Sequence, residues 1–140
     1  MLRGLVGPEA FRRAMTGLQA RFRYGKIGSE DVREALEAAS GLELGPYFEA
    51  WVSGTELPEL RYGWRRVRDG EGHHVEIEVR ARHLPGPVPL TILIETEAGS
   101  EQHRVMLPAA GSVFRLELPA PVRDVEINED RGLLALIDRL

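Results

Sequence analysis

The sequence of 140 residues contains no cysteine, and this absence removes several kinds of chemistry at once. Without a thiol the chain forms no disulfide, has no thiolate nucleophile and offers no cysteine ligand to a metal. Lysine is also scarce, since Lys26 is the single lysine among 18 basic residues. The net charge is −4, so no excess of positive charge favours binding to nucleic acid.

Long apolar runs are missing as well. No stretch approaches the roughly 20 residues that a membrane-spanning helix requires, and no signal peptide pattern opens the sequence. We therefore expect a soluble chain that does not contact a membrane. The sequence leaves the compartment open, with the cytoplasm as the favoured expectation.

The first 60 residues carry a helical pattern, because apolar residues recur at spacings of three and four. The three stripes are Phe11, Met15, Leu18 and Phe22; Val32, Leu36 and Ala39; and Tyr47, Phe48, Trp51 and Val52. Pro8, Ser29 as an N-cap, and Pro46 suit helix starts, whereas Gly25, Gly41 and Gly54 suit helix ends. This part of the sequence predicts three helices.

From Leu60 onward the apolar period changes to two, which is typical of strands. In His74–Arg82 the alternation predicts that Val75, Ile77, Val79 and Ala81 face a core. The other predicted strands are Arg61–Arg68, Val88–Thr96, Gln102–Leu107, Ser112–Leu118 and Val122–Asn128. Glycine and proline in Asp69–Gly72, Leu84–Pro87, Ala98–Ser100 and Ala110–Gly111 indicate turns.

Together these patterns predict an α+β fold with two parts. Residues 1–59 form an N-terminal three-helix segment, and residues 60–140 form a small antiparallel β-sandwich domain. The last segment, Leu133–Leu140, is predicted as a short C-terminal helix, with a final strand as the alternative.

Six short motifs in residues 1–60 follow one another in the order found in one family of enzymes. They are Met1–Arg3, Gly7–Phe11, Ser29–Val32, Glu37–Gly41, Tyr47–Trp51 and Gly54–Leu60. In this order they resemble the segment that follows the active site in zinc aminopeptidases of the membrane alanyl aminopeptidase family, in the gluzincin group. The resemblance implies that the helical segment is the end of a peptidase catalytic domain, and that a β-sandwich follows it.

The zinc-binding motif of that family is missing. The family's zinc site uses His-Glu-x-x-His on one helix, with the glutamate as general base, and a further glutamate on the next helix. The four histidines here are His73, His74, His83 and His103, and none has a histidine partner at the spacing that a helix requires. We therefore predict no catalytic, cofactor-binding or metal-binding residue in this chain. Zinc is expected only in a parent protein.

Several other residues are of types that can form sites, and for each of them we favour a structural interpretation. Glu76 and Glu78 share a strand face with basic residues and predict a solvated charged surface. Trp51, with Tyr47 and Phe48, is interpreted as core between helices, and Trp64 as core or as the seam between the two parts. The segment Gly25–Gly28 lacks the phosphate-loop pattern and is interpreted as a helix connection.

Two functional hypotheses remain open, besides a weakly supported third in which the chain is an enzyme itself. The first is a non-catalytic C-terminal part of an aminopeptidase that supports the catalytic domain and shapes the substrate cleft. The second is a stand-alone interaction module of that origin, with a protein partner or a second copy as its ligand. Both of these two hypotheses predict apolar side chains on the helices that the chain itself does not cover, foremost Leu2, Leu5 and Val6.

Overall fold

The computed structural model describes residues 1–67 and 72–140. These residues form two compact units, Met1–Glu56 and Leu57–Leu140. The prediction of a turn at residues 69–71, and of strand structure at Arg68, lies outside the described residues. Within the remainder the α+β fold class is confirmed, and the second unit is sandwich-like.

All secondary-structure elements of the first unit are helices. Its elements are α1 (Leu2–Val6), α2 (Pro8–Arg21), α3 (Ser29–Ser40) and α4 (Gly45–Phe48), and α4 continues as a π-helical turn over Glu49–Ser53. The three predicted helices correspond to α2, α3 and α4 with its continuation. The short helix α1 was not predicted, because its five residues carry too little pattern to show a periodicity.

The two ends of α3 differ in how well the sequence predicted them. Ser29 is the first helical residue and not the N-cap, because the carboxylate of Asp31 accepts a hydrogen bond of 2.9 Å from the backbone N–H of Gly28. Gly28 is therefore the N-cap. The predicted end at Gly41 is confirmed: this residue has φ of 73°, a left-handed conformation that glycine adopts readily.

The core of the helical unit is small. Its buried cluster consists of Ala14, Leu36, Leu44 and Phe48. Leu2, Leu5 and Val6 pack against this cluster and are half-buried. The expectation that these three side chains are uncovered is therefore wrong. Helix α1 places them on the unit's own core, and they remain only partly exposed.

The described residues of the second unit form seven strands. They are β1 (Glu59–Val67), β2 (His73–Arg82), β3 (Val88–Thr96), β4 (Gly99–Leu107), β5 (Ser112–Leu118), β6 (Val122–Ile127) and β7 (Leu136–Arg139). One sheet has the order β5-β2-β1-β7 and the other has the order β4-β3-β6. Each of the six predicted strands corresponds to one of β1 to β6.

The predicted C-terminal helix is wrong, since the described chain ends in strand β7. The backbone N–H of Leu136 donates to the carbonyl of Pro58 at 2.8 Å, and that of Leu140 donates to the carbonyl of Tyr62 at 2.7 Å. These bonds pair β7 with β1 in parallel, so the sheet is mixed and not wholly antiparallel. Pairing with a distant strand replaces the local hydrogen bonds that a helix would form.

The core of this unit follows the predicted alternation on β2. Val75, Ile77 and Val79 are at most 1% exposed, whereas Ala81 near the strand end is half-buried. On β3, in the other sheet, Leu90, Ile92 and Ile94 are buried equally well. Burial of this many aliphatic side chains is the main favourable contribution to the stability of the unit.

Candidate functional site

The four histidines occupy different places in the second unit. His73 and His74 open β2, and as neighbours on a strand they point to opposite faces of the sheet. His83 follows β2, and His103 lies on β4 in the other sheet, where its Nε2 is 3.3 Å from Glu101. Among residues 1–67 and 72–140, no group of three or more histidines and carboxylates could hold a metal ion. The described residues thus do not fit the zinc site of the family, and no step of a zinc mechanism is assigned to them.

Glu76 and Glu78 form ion pairs on the outer face of the antiparallel pair β1–β2. Arg65 lies 2.5 Å from Glu76, and Arg80 lies 2.7 Å from Glu78. Both pairs are at least partly open to solvent, where such pairs contribute little to stability. They border a groove of about 370 Å³ above Gly63, which Leu140 partly covers. The groove carries both signs of charge and shows no preference for one class of ligand.

The aromatic residues of the third predicted helix form one cluster. The ring of Tyr47 lies 6.1 Å from the ring of Phe48 and 6.1 Å from that of Trp51. Phe48 belongs to the buried core and Tyr47 packs against it, as the sequence predicted for these two residues. Burial raises the pKa of Tyr47 to about 12. Trp51 is half-buried.

A second groove lies between α2 and α3, with a volume of about 320 Å³. Its floor is made of small residues, among them Ala14, Gly17 and Ala38, and arginines stand at its rim. One of them, Arg13, donates a hydrogen bond of 2.9 Å to the carbonyl of Ala39. The segment Gly25–Gly28, interpreted as a connection, lies between these two helices.

Sequence reasoning missed a polar cluster centred on Arg139. Its guanidinium donates to the hydroxyl of Tyr62 at 2.7 Å, to Asp124 at 2.8 Å and to the carbonyl of Val125 at 3.1 Å. Trp64 also hydrogen-bonds Asp124. The cluster ties β7 and β1 of one sheet to β6 of the other. A pairing over 77 positions, as between Tyr62 and Arg139, leaves no local signal in the sequence.

The Arg139 cluster predicts how the chain responds to acid. The hydrogen bond from Arg139 is the main cause that holds the pKa of Asp124 below its ordinary value of 3.8. A lowered carboxyl pKa adds stability above pH 3.8, and this contribution is lost as the pH falls through the folded pKa. We expect Arg139→Gln to lose less free energy of unfolding on acidification than the wild type, by under about 1 kcal/mol because the pair is exposed. Urea titrations at neutral pH and below about pH 3 measure this difference.

Asp124→Asn is the matched control, since it removes the titrating group itself. It should show the same flattened acid response as Arg139→Gln. An acid response in Arg139→Gln equal to that of the wild type contradicts the assignment.

Comparison with a solved structure shows which fold the chain shares. The fold matches aminopeptidase A of Legionella pneumophila, solved with aspartic acid, with a TM-score of 0.77 at 15% sequence identity. The match covers 97% of this chain and 16% of that chain. The chain is therefore similar in fold to a part of that aminopeptidase.

Sequence comparison gives the particular relatives. The chain is 23% identical to the puromycin-sensitive aminopeptidase of Caenorhabditis elegans in an alignment of 137 positions that covers 91% of this chain and 14% of that protein. It is 26% identical to the tricorn protease-interacting factor F2 of Thermoplasma volcanium in an alignment of 100 positions that covers 66% of this chain and 12% of that protein. No family model matches the chain. The resemblance predicted from the motifs is confirmed: the chain is a relative of aminopeptidases and is similar to a part of them.

The chain spans between about an eighth and a seventh of the length of these relatives, which are 12% and 14% covered. In the described part of the chain, no helix is both long and apolar enough to cross a membrane.

Proposed function

We propose that the chain is a non-catalytic, C-terminal part of a zinc-dependent aminopeptidase, and that it supports the catalytic domain and the substrate cleft. One observation carries this proposal: nearly the whole chain, 97%, matches only 16% of an aminopeptidase structure. Such a match is expected of a part whose catalytic residues lie elsewhere in the protein.

The partial burial of apolar side chains in the helical unit supports a role in packing against a larger protein domain. Its buried cluster of four residues is small for a unit of this length, and apolar side chains around it are only partly covered. Exposed apolar residues also lie in its connections, where Ile27 is 45% exposed and Leu42 is 42% exposed. Burial of such side chains against a catalytic domain would contribute about 25 cal/mol for each square ångström covered.

The alternative is a stand-alone module for binding a protein partner or a second copy. The same half-buried helical surface favours it, so the helices do not distinguish the two hypotheses. The reading frame that encodes the chain does distinguish them. A His-Glu-x-x-His motif upstream in that frame favours the supporting role, and a frame that starts near Met1 favours the module.

The proposal predicts that the purified chain does not hydrolyse peptides. With added zinc and aminoacyl substrates that release a coloured or fluorescent amine, we expect no rate above that of buffer. The physical reason is that the described residues provide no set of ligands to hold zinc against solvent. A whole aminopeptidase that carries the zinc motif is the positive control. Hydrolysis that requires zinc and stops with a chelator contradicts the proposal.

Where the motif lies upstream, the supporting role has its own test. The longer protein without this segment should lose solubility or activity, because apolar surface of the catalytic domain becomes exposed. Full activity of the shortened protein at the same thermal stability would contradict a supporting role.

A further inference from the structure

The two sheets have four edge strands, β5 and β7 in one sheet and β4 and β6 in the other. Side chains close part of the edge at β6, and β7 is only four residues long. Arg66 donates two hydrogen bonds, of 3.0 and 2.6 Å, to the carbonyl of Val122, and Arg139 reaches the carbonyl of Val125 at 3.1 Å. The edges on the other side, β4 and β5, are therefore the better candidates for pairing with another chain.

Strand β4 is protected against such pairing. Glu101 and His103 alternate with exposed residues, lie on the same face as the buried Leu107 and are half-buried. Charged residues on the inward face of an edge strand oppose the addition of another strand, because the approaching chain would desolvate them.

Strand β5 lacks this protection. It is seven residues long, contains no proline and stays in unbroken register with β2 from Ser112 to Leu118. Its inward face consists of Ser112, Phe114, Leu116 and Leu118, which carry no charge. Its outward face carries Val113, Arg115 and Glu117, all exposed. Among the four edge strands, β5 thus combines length, regularity and an uncharged inner face.

The direction of its backbone groups follows from the neighbouring strands. The carbonyl of Tyr62 on β1 faces β7, where it accepts from Leu140 at 2.7 Å. Because successive residues of a strand face opposite neighbours, the backbone groups of Gly63 face β2. The residue paired with Gly63 is Glu78, so the backbone N–H and C=O of Glu78 face β1. The backbone groups of the adjacent residue, Ile77, therefore face β5.

The same alternation assigns the groups of β5. Ile77 is opposite Phe114, so the backbone of Phe114 bonds to β2. The N–H and C=O groups of Val113, Arg115 and Glu117 then point away from β2, toward the edge. This edge presents a row of groups that can pair with another strand.

The side chains of β5 are complementary to a second copy of the same strand. In an antiparallel pair with Leu116 at the two-fold axis, Arg115 of each copy lies opposite Glu117 of the other. Opposite charges that face each other across strands stabilise the pair, and symmetry forms this contact twice. On the inner face Leu116 meets its own copy, and Phe114 meets Leu118.

We propose that β5 is a self-association edge, which joins a second copy of this chain through an antiparallel β5–β5 pair centred on Leu116. Each Arg115–Glu117 pair contributes two backbone hydrogen bonds, and the pairing joins the two four-stranded sheets into one continuous sheet. The proposal does not depend on the supporting role proposed above, because the edge belongs to the sandwich-like unit alone.

Charge reversal tests the register. In sedimentation of the purified chain at low ionic strength, we expect a dimer whose share rises with protein concentration. Arg115→Glu and Glu117→Arg should each raise the dissociation constant about tenfold or more, since each places like charges opposite each other twice. The double variant should return the constant to within a few-fold of the wild type, because the opposite charges face each other again.

Arg104→Glu is the matched control, since it makes the same charge change on the protected edge strand β4 and should leave the dissociation constant unchanged. Circular dichroism verifies that each variant is folded. If Arg115→Glu does not fold, the test relies on Glu117→Arg. Amide hydrogen exchange should slow with concentration at residues 113, 115 and 117. A chain that is monomeric up to about 1 mM overturns the proposal, as does a dimer that only Arg104→Glu weakens.

Discussion

Replacement of Leu36 by alanine is expected to lower the free energy of unfolding of the helical unit by about 2–5 kcal/mol. Leu36 is 0% exposed and lies in the buried cluster with Ala14, Leu44 and Phe48. The substitution removes apolar contacts and leaves a cavity that this small core cannot fill. A unit of this length is typically stable by about 3–8 kcal/mol, so the loss is a large share of the total.

The measurement is urea unfolding followed by far-ultraviolet circular dichroism, which reports the helices. Leu42→Ala is the matched control, because it makes the same change at a side chain that is 42% exposed. We expect it to alter the free energy of unfolding by less than about 0.5 kcal/mol. Equal effects of the two variants would contradict the assignment of Leu36 to the core.

Gly111→Ala is expected to destabilise the sandwich-like unit by about 3 kcal/mol or more. Gly111 has φ of 87°, and a Cβ atom there would lie 2.2 Å from the carbonyl oxygen of Val79 and 3.0 Å from the Cα of Arg80. Both obstacles are backbone atoms of β2, which cannot rotate away as a side chain can. Thermal unfolding measures the loss as a lower Tm.

Gly41→Ala separates the two causes. Gly41 also has a positive φ, of 73°, but a Cβ atom there would meet nothing within 4 Å in the described part of the chain. It should therefore show only the conformational cost, about 1–2 kcal/mol. Equal losses at the two glycines would indicate that the contact with Val79 relaxes at little cost.

Elements with a strong periodic pattern could be predicted from the sequence. The alternation around Val75, Ile77 and Val79 predicted both strand β2 and its buried face, because one side of the sheet must leave water. The end of α3 at Gly41 was predictable because glycine adopts the left-handed conformation with little strain. In both cases the cause lies within a few residues of its effect.

The C-terminal segment shows where such reasoning fails. Leu133–Leu140 carries apolar residues at spacings compatible with a helix or a strand, and its length does not decide between them. The strand forms because Pro58, the residue before β1, and Tyr62 within β1 present their carbonyls to it. The Arg139 cluster depends on the same pairing, so it could not be predicted either.

The sequence by itself determined the two-part α+β organisation and the likeness to aminopeptidases, because periodicity and ordered motifs are local properties of the chain. It also determined that no His-Glu-x-x-His motif is present. Only the tertiary structure decided that β7 replaces a helix, which edges side chains close, and that β5 presents its backbone at an open edge. These features join residues up to 78 positions apart, as Leu136 and Pro58 are, and such contacts exist only once the chain has folded.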